Sequence, residues 1–153
     1  SLKTQSGADY TVSATENTNE TTGRTGTLVV TQEGSGAKSI TINLSQPKAT
    51  VAYTYNLTSN PSRVEFVATG ETKTLSISST KQKTVNGKNS GSPVAVNYTT
   101  TVSGTGFSKG TTEYSVVAAV NTGTAREGSA VVKQSEGTKQ ITITLSQAAG
   151  TSA

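Results

Sequence analysis

The stretch Asn121–Gln147, NTGTAREGSAVVKQSEGTKQITITLSQ, is written twice in this chain. Its partner runs from Asn17 to Gln46 as NTNETTGRTGTLVVTQEGSGAKSITINLSQ. Both copies place an Asn ahead of an Arg, then Gly, a short apolar strand ending in Gln, a glycine turn, and an alternating strand that closes on Leu-Ser-Gln. The likeness extends upstream, where Tyr10-Thr-Val-Ser-Ala-Thr-Glu-Asn17 parallels Tyr114-Ser-Val-Val-Ala-Ala-Val-Asn121. A unit repeated at this spacing predicts modules in tandem, and the strand period of two within each copy predicts that the modules are β.

Composition agrees. Of 153 residues, 31% are apolar and 14% charged, with Thr about a fifth of the chain. Disorder goes with charge and few β-branched residues, whereas frequent Val, Ile and Thr suit a pleated, half-buried surface. The expectation is an all-β protein with thin cores and Thr-covered outer faces. Cys, His, Met and Trp are absent, so no disulfide ties a core together. No apolar run approaches the roughly 20 residues of a helical membrane span, and no signal-peptide pattern opens the chain. Without an initiating Met, the chain reads as a processed or truncated product. The net charge of +4 comes from 13 basic and 9 acidic residues. The basic residues are scattered singly, and the densest group, Lys81, Lys83 and Lys88, lacks interleaved aromatics. That argues against a nucleic-acid surface.

Tyr10 to Ala14 alternates and predicts a strand with Tyr10, Val12 and Ala14 inward. Leu28 to Gln32 and Ser39 to Ser45 predict two more, the second with Ile40, Ile42 and Leu44 on one face. Pro47 cannot donate to a ladder and ends this copy. After it, Val51, Tyr53, Tyr55 and Leu57 alternate, then Val64, Phe66 and Ala68, then Leu75 and Ile77. Asn86-Gly87 is a tight-hairpin signal, pairing Gln82–Val85 with Lys88–Ser90. Val94, Val96 and Tyr98 form another strand, and Thr101 to Gly110 a loop anchored by Phe107. Tyr114–Ala119, Ala130–Gln134 and Gln140–Ser146 then repeat the three strands of the first copy. No segment carries a helical period.

About seven strands in roughly 100 residues is the pattern of an immunoglobulin-like sandwich. Residues 48–149 hold a complete module and residues 150–153 a tail. Residues 1–47 hold only the carboxy-terminal part of a first module, and three strands cannot hide both faces of their sheet. Either the chain is the tail of a longer tandem protein, or a partner supplies the missing strands by strand addition. The liability of unpaired edges favours the tail.

Asn121-Thr-Gly-Thr-Ala-Arg126-Glu-Gly128, Val131-Val132 and Ile141-Thr-Ile-Thr-Leu-Ser-Gln147 together resemble the carboxy-terminal half of a BACON domain. In that immunoglobulin-like family N-x-x-x-x-R-x-G precedes the penultimate hairpin and the last strand closes on Gln. Leu75-Ser-Ile-Ser-Ser79 resembles its early strand. The resemblance covers about two thirds of residues 50–149, and residues 10–47 as a partial second copy. It implies a surface or secreted protein of Bacteroidetes or of the phages that infect them. The family carries a Trp and further aromatics in its middle strands, and this chain has no Trp.

Read as chemistry, Asn121 and Asn17 can bond their own backbone two residues on and start a turn. Arg126 and Arg24 can reach several loop carbonyls through the guanidinium fork. Gly128 and Gly26 are expected to supply positive φ. Gln147 and Gln46 are expected to satisfy an edge backbone group. The alternative makes Asn121, Arg126, Asn17 and Arg24 ligand contacts for a sugar or carboxylate; the loop-structuring reading is preferred, because a polar fork inside a loop needs bonding in either case. Tyr53, Tyr55 and Tyr98 are candidates for stacking against a sugar, although Tyr53 and Tyr55 share a face with Val51 and Leu57 and so read first as core. Without His or Cys, transition-metal sites are not expected, and a single Asp leaves no Asp-rich calcium loop. The glutamates are dispersed and no nucleophile elbow or phosphate loop is present, so neither enzyme nor cofactor is expected.

Two function classes remain. One is a non-enzymatic structural or display module on a virion or cell surface, a phage capsid decoration or fibre whose partners are neighbouring subunits or the virion shell. The other is a carbohydrate-binding or spacer module of an extracellular Bacteroidetes protein that meets a surface glycan.

Overall fold

The computed structural model describes residues 9–151. They fold into thirteen strands, and no helix forms among the described residues. The strands are β1 (Arg24–Thr31), β2 (Ser39–Gln46), β3 (Val51–Ser59), β4 (Arg63–Phe66), β5 (Glu71–Thr74), β6 (Ile77–Val85), β7 (Lys88–Asn89), β8 (Val94–Ala95), β9 (Tyr98–Ser103), β10 (Phe107–Lys109), β11 (Ser115–Ala118), β12 (Arg126–Gln134) and β13 (Gln140–Gln147). The chain divides into two compact units, residues 1–52 with 84–89, and residues 53–83 with 90–153.

The second unit is all-β, multi-sheeted and sandwich-like. One sheet has the order β4-β13-β12-β9, with β4 parallel to β13 and the other pairs antiparallel. A second has the order β10-β11-β5, and β8 pairs with β6 at Thr80↔Ala95 and Lys81↔Val94. Alternate residues of the strands point inward and meet, with Leu75 between β5 and β6, in one core: Leu57, Phe66, Phe107, Val116, Ala118, Ala130, Val132, Ile143 and Leu145. Val116, Ala130, Val132, Ile143 and Leu145 are fully buried. Burying a Val, Leu or Ile side chain contributes about 1.5–3 kcal/mol, so each of these fully buried side chains is a sizeable stabilising contribution. Phe66 and Phe107 meet edge to face, with centroids 5.7 Å apart.

Three segments differ from the sequence expectation for physical reasons. Val94, Val96 and Tyr98 do not share a strand; the chain leaves the ladder at Val96–Asn97, so that β8 pairs with β6 while β9 pairs with β12. Leu75 and Ile77 do not share a strand; the chain breaks at Leu75–Ser76, so that β5 pairs with β11 while β6 joins β3. Thr101 to Gly110 is not a loop throughout. Threonines extend β9 to Ser103 against β12, and Phe107 opens β10 as a buried anchor. The Asn86-Gly87 hairpin forms as expected, with Thr84↔Asn89 and Val85↔Lys88 paired and both turn residues at positive φ.

In the first unit β1 and β2 pair antiparallel in the register of their repeat, from Arg24↔Gln46 to Thr31↔Ser39. Their inward face is uncovered. Ile40 and Ile42 are 61% and 43% exposed, where the counterpart Ile143 of Ile42 is 0%. Tyr10 to Ala14 is not a strand. Its counterpart β11 is held between β5 and β10, and the first unit has no such strands among the described residues. Val12 is 51% exposed where Val116 is 0%. The first unit therefore has two strands of the repeat and not the three expected.

Candidate functional site: the Asn–Arg–Gln clasp

Arg126 opens β12 and Gln147 closes β13, and antiparallel register sets them opposite each other. Gln147 is fully buried. Its Oε1 accepts from Arg126 Nε at 2.8 Å, and its Nε2 donates to Val67 O at 2.9 Å and Ala119 O at 2.8 Å. A second guanidinium nitrogen of Arg126 donates to Ala119 O at 2.9 Å. Asn121, also buried, donates from Nδ2 to Thr124 O and Ala148 O, both at 2.8 Å, while its Oδ1 accepts from Gly123 N–H at 3.1 Å. The guanidinium lies over the Phe107 ring, 5.8 Å from its centroid, and a Cβ on Gly106 would fall 2.1 Å from Cζ. Ring, glycine backbone and carbonyls thus line the half-buried guanidinium, and the hydrogen bonds of the clasp run to the protein's own chain.

The first copy builds the same clasp. Arg24 Nε donates to Gln46 Oε1 at 2.6 Å, and both Arg24 and Gln46 Nε2 donate to Thr15 O, the counterpart of Ala119 O. Asn17 Nδ2 donates to Thr22 O at 3.1 Å and Pro47 O at 2.9 Å, and Asn19 N–H donates to Asn17 Oδ1 at 3.1 Å. Three parts are missing among the described residues. Gln46 Nε2 has no acceptor standing where Val67 O stands. No ring lies against Arg24. And a Cβ on Gly26 would meet nothing within 4 Å, where one on Gly128 would fall 2.5 Å from Ser103 O and 2.7 Å from Phe107 Cδ2. Neither Gly26 nor Gly128 adopts positive φ, contrary to the sequence expectation. Gly128 is required by the close approach of β9 and Phe107.

The tyrosines divide. Tyr53 is 48% exposed, contrary to the core reading, and Lys81 Nζ stands 5.3 Å from its ring centroid. It lies at the start of the alternating run, beyond the reach of the core that buries Leu57. Tyr55 is half-buried and lies against Gly137, where a Cβ would fall 2.9 Å from its ring. Tyr98 packs against the core and burial raises its phenol above the ordinary range, with Tyr114 and Glu113 adding to the effect.

A second buried glutamine, Gln134 at the end of β12, was not singled out by sequence reasoning. Its Nε2 donates to Asn56 O at 2.9 Å and Ser79 Oγ at 3.0 Å, while its Oε1 has no partner among the described residues. The signal was present, because Gln46, Gln134 and Gln147 end strands of the repeat and Gln32 directly follows β1. Among the carboxylates, Glu113 is held below its ordinary range by a hydrogen bond from Lys109 and then by the Thr100 N–H at 2.6 Å. Glu16 is lowered by Lys88 and then Asn86. Glu16 is exposed and Glu113 half-buried, and both tie loops. No group of three or more His, Cys, Asp or Glu is placed to hold a metal ion among the described residues. No protein-family model matches this chain, and no curated protein or solved structure matches it.

Proposed function

We propose that this chain is a non-enzymatic structural and display protein of immunoglobulin-like modules in tandem, working on a virion or cell surface as decoration, fibre or spacer. One observation carries the reading: the most distinctive polar residues of the repeat, Asn121, Arg126 and Gln147, direct their bonds at their own module's backbone. Residues kept for a ligand direct their donors at solvent or a cleft, whereas the bonds these residues make hold two strand ends and a loop. The resemblance to BACON domains supports a Bacteroidetes or phage surface as the setting, with neighbouring subunits or the virion shell as partners.

A carbohydrate-binding role is the second reading, and exposed Tyr53 beside Lys81 favours it. An aromatic ring with a cation at its face is a reasonable platform for a sugar. The full chain applied to a glycan array separates the two. The structural reading expects no glycan retained above background. Retention that disappears in Tyr53→Ala would establish the carbohydrate reading in its place.

A further inference from the structure

Asn86 is the only asparagine of this chain that a glycine follows. It stands at φ 48° and Gly87 at φ 79°, in the tight turn that joins β6 to β7. The turn itself asks nothing more of the side chain, yet all of its polar atoms are used. Nδ2 donates to Glu16 Oε1 and to Asn17 O, both at 3.0 Å, and Oδ1 accepts from Thr50 N–H at 2.9 Å. The backbone N–H of Asn86 donates to Thr50 O at 2.8 Å. Lys88 on β7 adds an ion pair with Glu16 at 2.7 Å. Through Asn86 the hairpin tip is thus tied, inside the first unit, to the loop that carries Asn17 and to the backbone at Thr50.

The same amide has a nucleophile beside it. The Cγ of an asparagine is one ring closure away from the backbone nitrogen of the next residue, and a side chain on that residue shields the nitrogen. Gly87 has none. It is exposed, and a Cβ there would meet nothing within 4 Å, so water and base reach its N–H. Thr50 N–H, bonded to Oδ1, draws charge from Cγ and faces the oxygen that turns negative as a nucleophile adds.

We infer that Asn86–Gly87 is a self-modification site, at which the asparagine loses its amide through a cyclic imide and the product unties the hairpin tip from the Glu16–Asn17 loop. Solvent base takes the Gly87 N–H proton. The nitrogen bonds Cγ, the Cγ–Nδ2 bond breaks, and Nδ2 leaves as ammonia with a proton from water. Water then opens the imide. Attack at Cγ gives aspartate in the normal linkage, and attack at the main-chain carbonyl gives isoaspartate, whose chain runs through the former side chain. Nothing is oxidised or reduced; one water enters and one ammonia leaves.

The product cannot keep the tie. A carboxylate has no proton to give Glu16 Oε1 or Asn17 O, and it sets a second negative charge against Glu16, which Lys88 holds in its charged form. Isoaspartate also lengthens the backbone of a turn whose flanking residues are in register. The other asparagines give an internal comparison. Asn17 and Asn121 are buried and precede threonine, and Asn89 precedes serine. The inference goes beyond the structural reading above and does not rest on it.

The test holds the full chain in warm, mildly alkaline buffer and follows each asparagine by peptide mapping and mass spectrometry. We expect Asn86 to convert at least about tenfold faster than Asn17, Asn89 or Asn121, and to give a mixture of aspartate and isoaspartate, the mark of the imide. Asn86→Asp, made directly, should lower hydrogen-exchange protection at the amides of Thr50 and of position 86 by about tenfold or more, the scale of the hydrogen bonds lost. An Asn86 still intact when a free peptide of residues 84–89 has converted would overturn the inference. So would conversion no faster than at the other three asparagines. Aspartate with no isoaspartate would overturn the imide route, and unchanged protection in Asn86→Asp would overturn the release. None of these outcomes bears on the glycan result.

Discussion

Gln147 and Gln46 occupy the same step of the same motif, and both take an Arg Nε–H on Oε1. They differ in what remains for Nε2. In Gln147 both protons go to backbone carbonyls, at Val67 and Ala119, and the side chain is 0% exposed. Truncating it empties a fully buried position and removes the acceptor of Arg126 Nε and one donor to Val67 O. Leaving buried groups unsatisfied costs about 1–3 kcal/mol each way it is measured, more where a charge is involved. Gln147→Ala should therefore cost about 2–3 kcal/mol in urea unfolding, and Gln46→Ala less than about 1 kcal/mol, because water reaches the half-buried first clasp. Equal costs would mean that the surroundings of the clasp do not set its worth. The glycines give a pair of opposite sign. Gly128→Ala drives a Cβ into Ser103 O and the Phe107 ring and should destabilise by about 1–3 kcal/mol. Gly26→Ala meets open space and removes the entropy cost of a strand glycine, a gain of about 0.5–1 kcal/mol.

Among the elements, what could be read from the sequence was what repeats or alternates. β12 and β13 follow directly from the Asn121–Gln147 pattern, and the Asn86-Gly87 turn from its dipeptide. The side-chain bonds of Asn121 and Arg126 follow from residue type, since an Asn bonds two residues on and a guanidinium forks to carbonyls. What could not be read depends on partners distant in sequence. Tyr10 to Ala14 has the alternation of β11 and lacks its neighbours, so it forms no ladder. Leu75–Ser76 breaks because the strands on either side belong to different sheets, which no local pattern records. Gln134 is buried by Asn56 and Ser79, which are 78 and 55 residues away in the chain. One loop contact gives a pH prediction. The charged form of Glu113 is what Lys109 and Thr100 N–H bond, and its folded value lies below the ordinary 4.5. A lowered carboxyl stabilises above its unfolded value and loses that contribution as pH falls through its folded value. Thermal midpoints of the native chain should then fall more steeply than those of Glu113→Gln below about pH 4.5, with the two curves parallel from pH 5 to 7. Parallel curves in acid as well would remove Glu113 from the account. Glu16 titrates in both proteins and cancels in the difference.

At the scale of the whole molecule, one motif is present in two states of completion, which provides an internal control. β12 and β13 bury Val132 and Ile143 completely, while their counterparts Val30 and Ile42 in β1 and β2 remain in contact with solvent. A two-stranded hairpin with an uncovered face is marginal in water, whereas strands that line a closed core open with something near the global unfolding free energy, about 5 kcal/mol or more. Because the copies are alike in sequence, intrinsic exchange rates differ little between them, and the comparison reads structure alone. Native-state hydrogen exchange should therefore find the amides of Val132 and Ile143 protected at least about a thousandfold more than those of Val30 and Ile42, the ratio that roughly 4 kcal/mol of opening free energy sets. Ile42→Ala should cost less than about 1 kcal/mol and Ile143→Ala about 2–5 kcal/mol, since only the second leaves a cavity. If the two hairpins instead exchanged alike, the first would have a cover that its exposed side chains do not reveal. The open space over Gly26 would then be occupied in solution, most simply by a second copy of the chain, and the mass of the protein in sedimentation would report it.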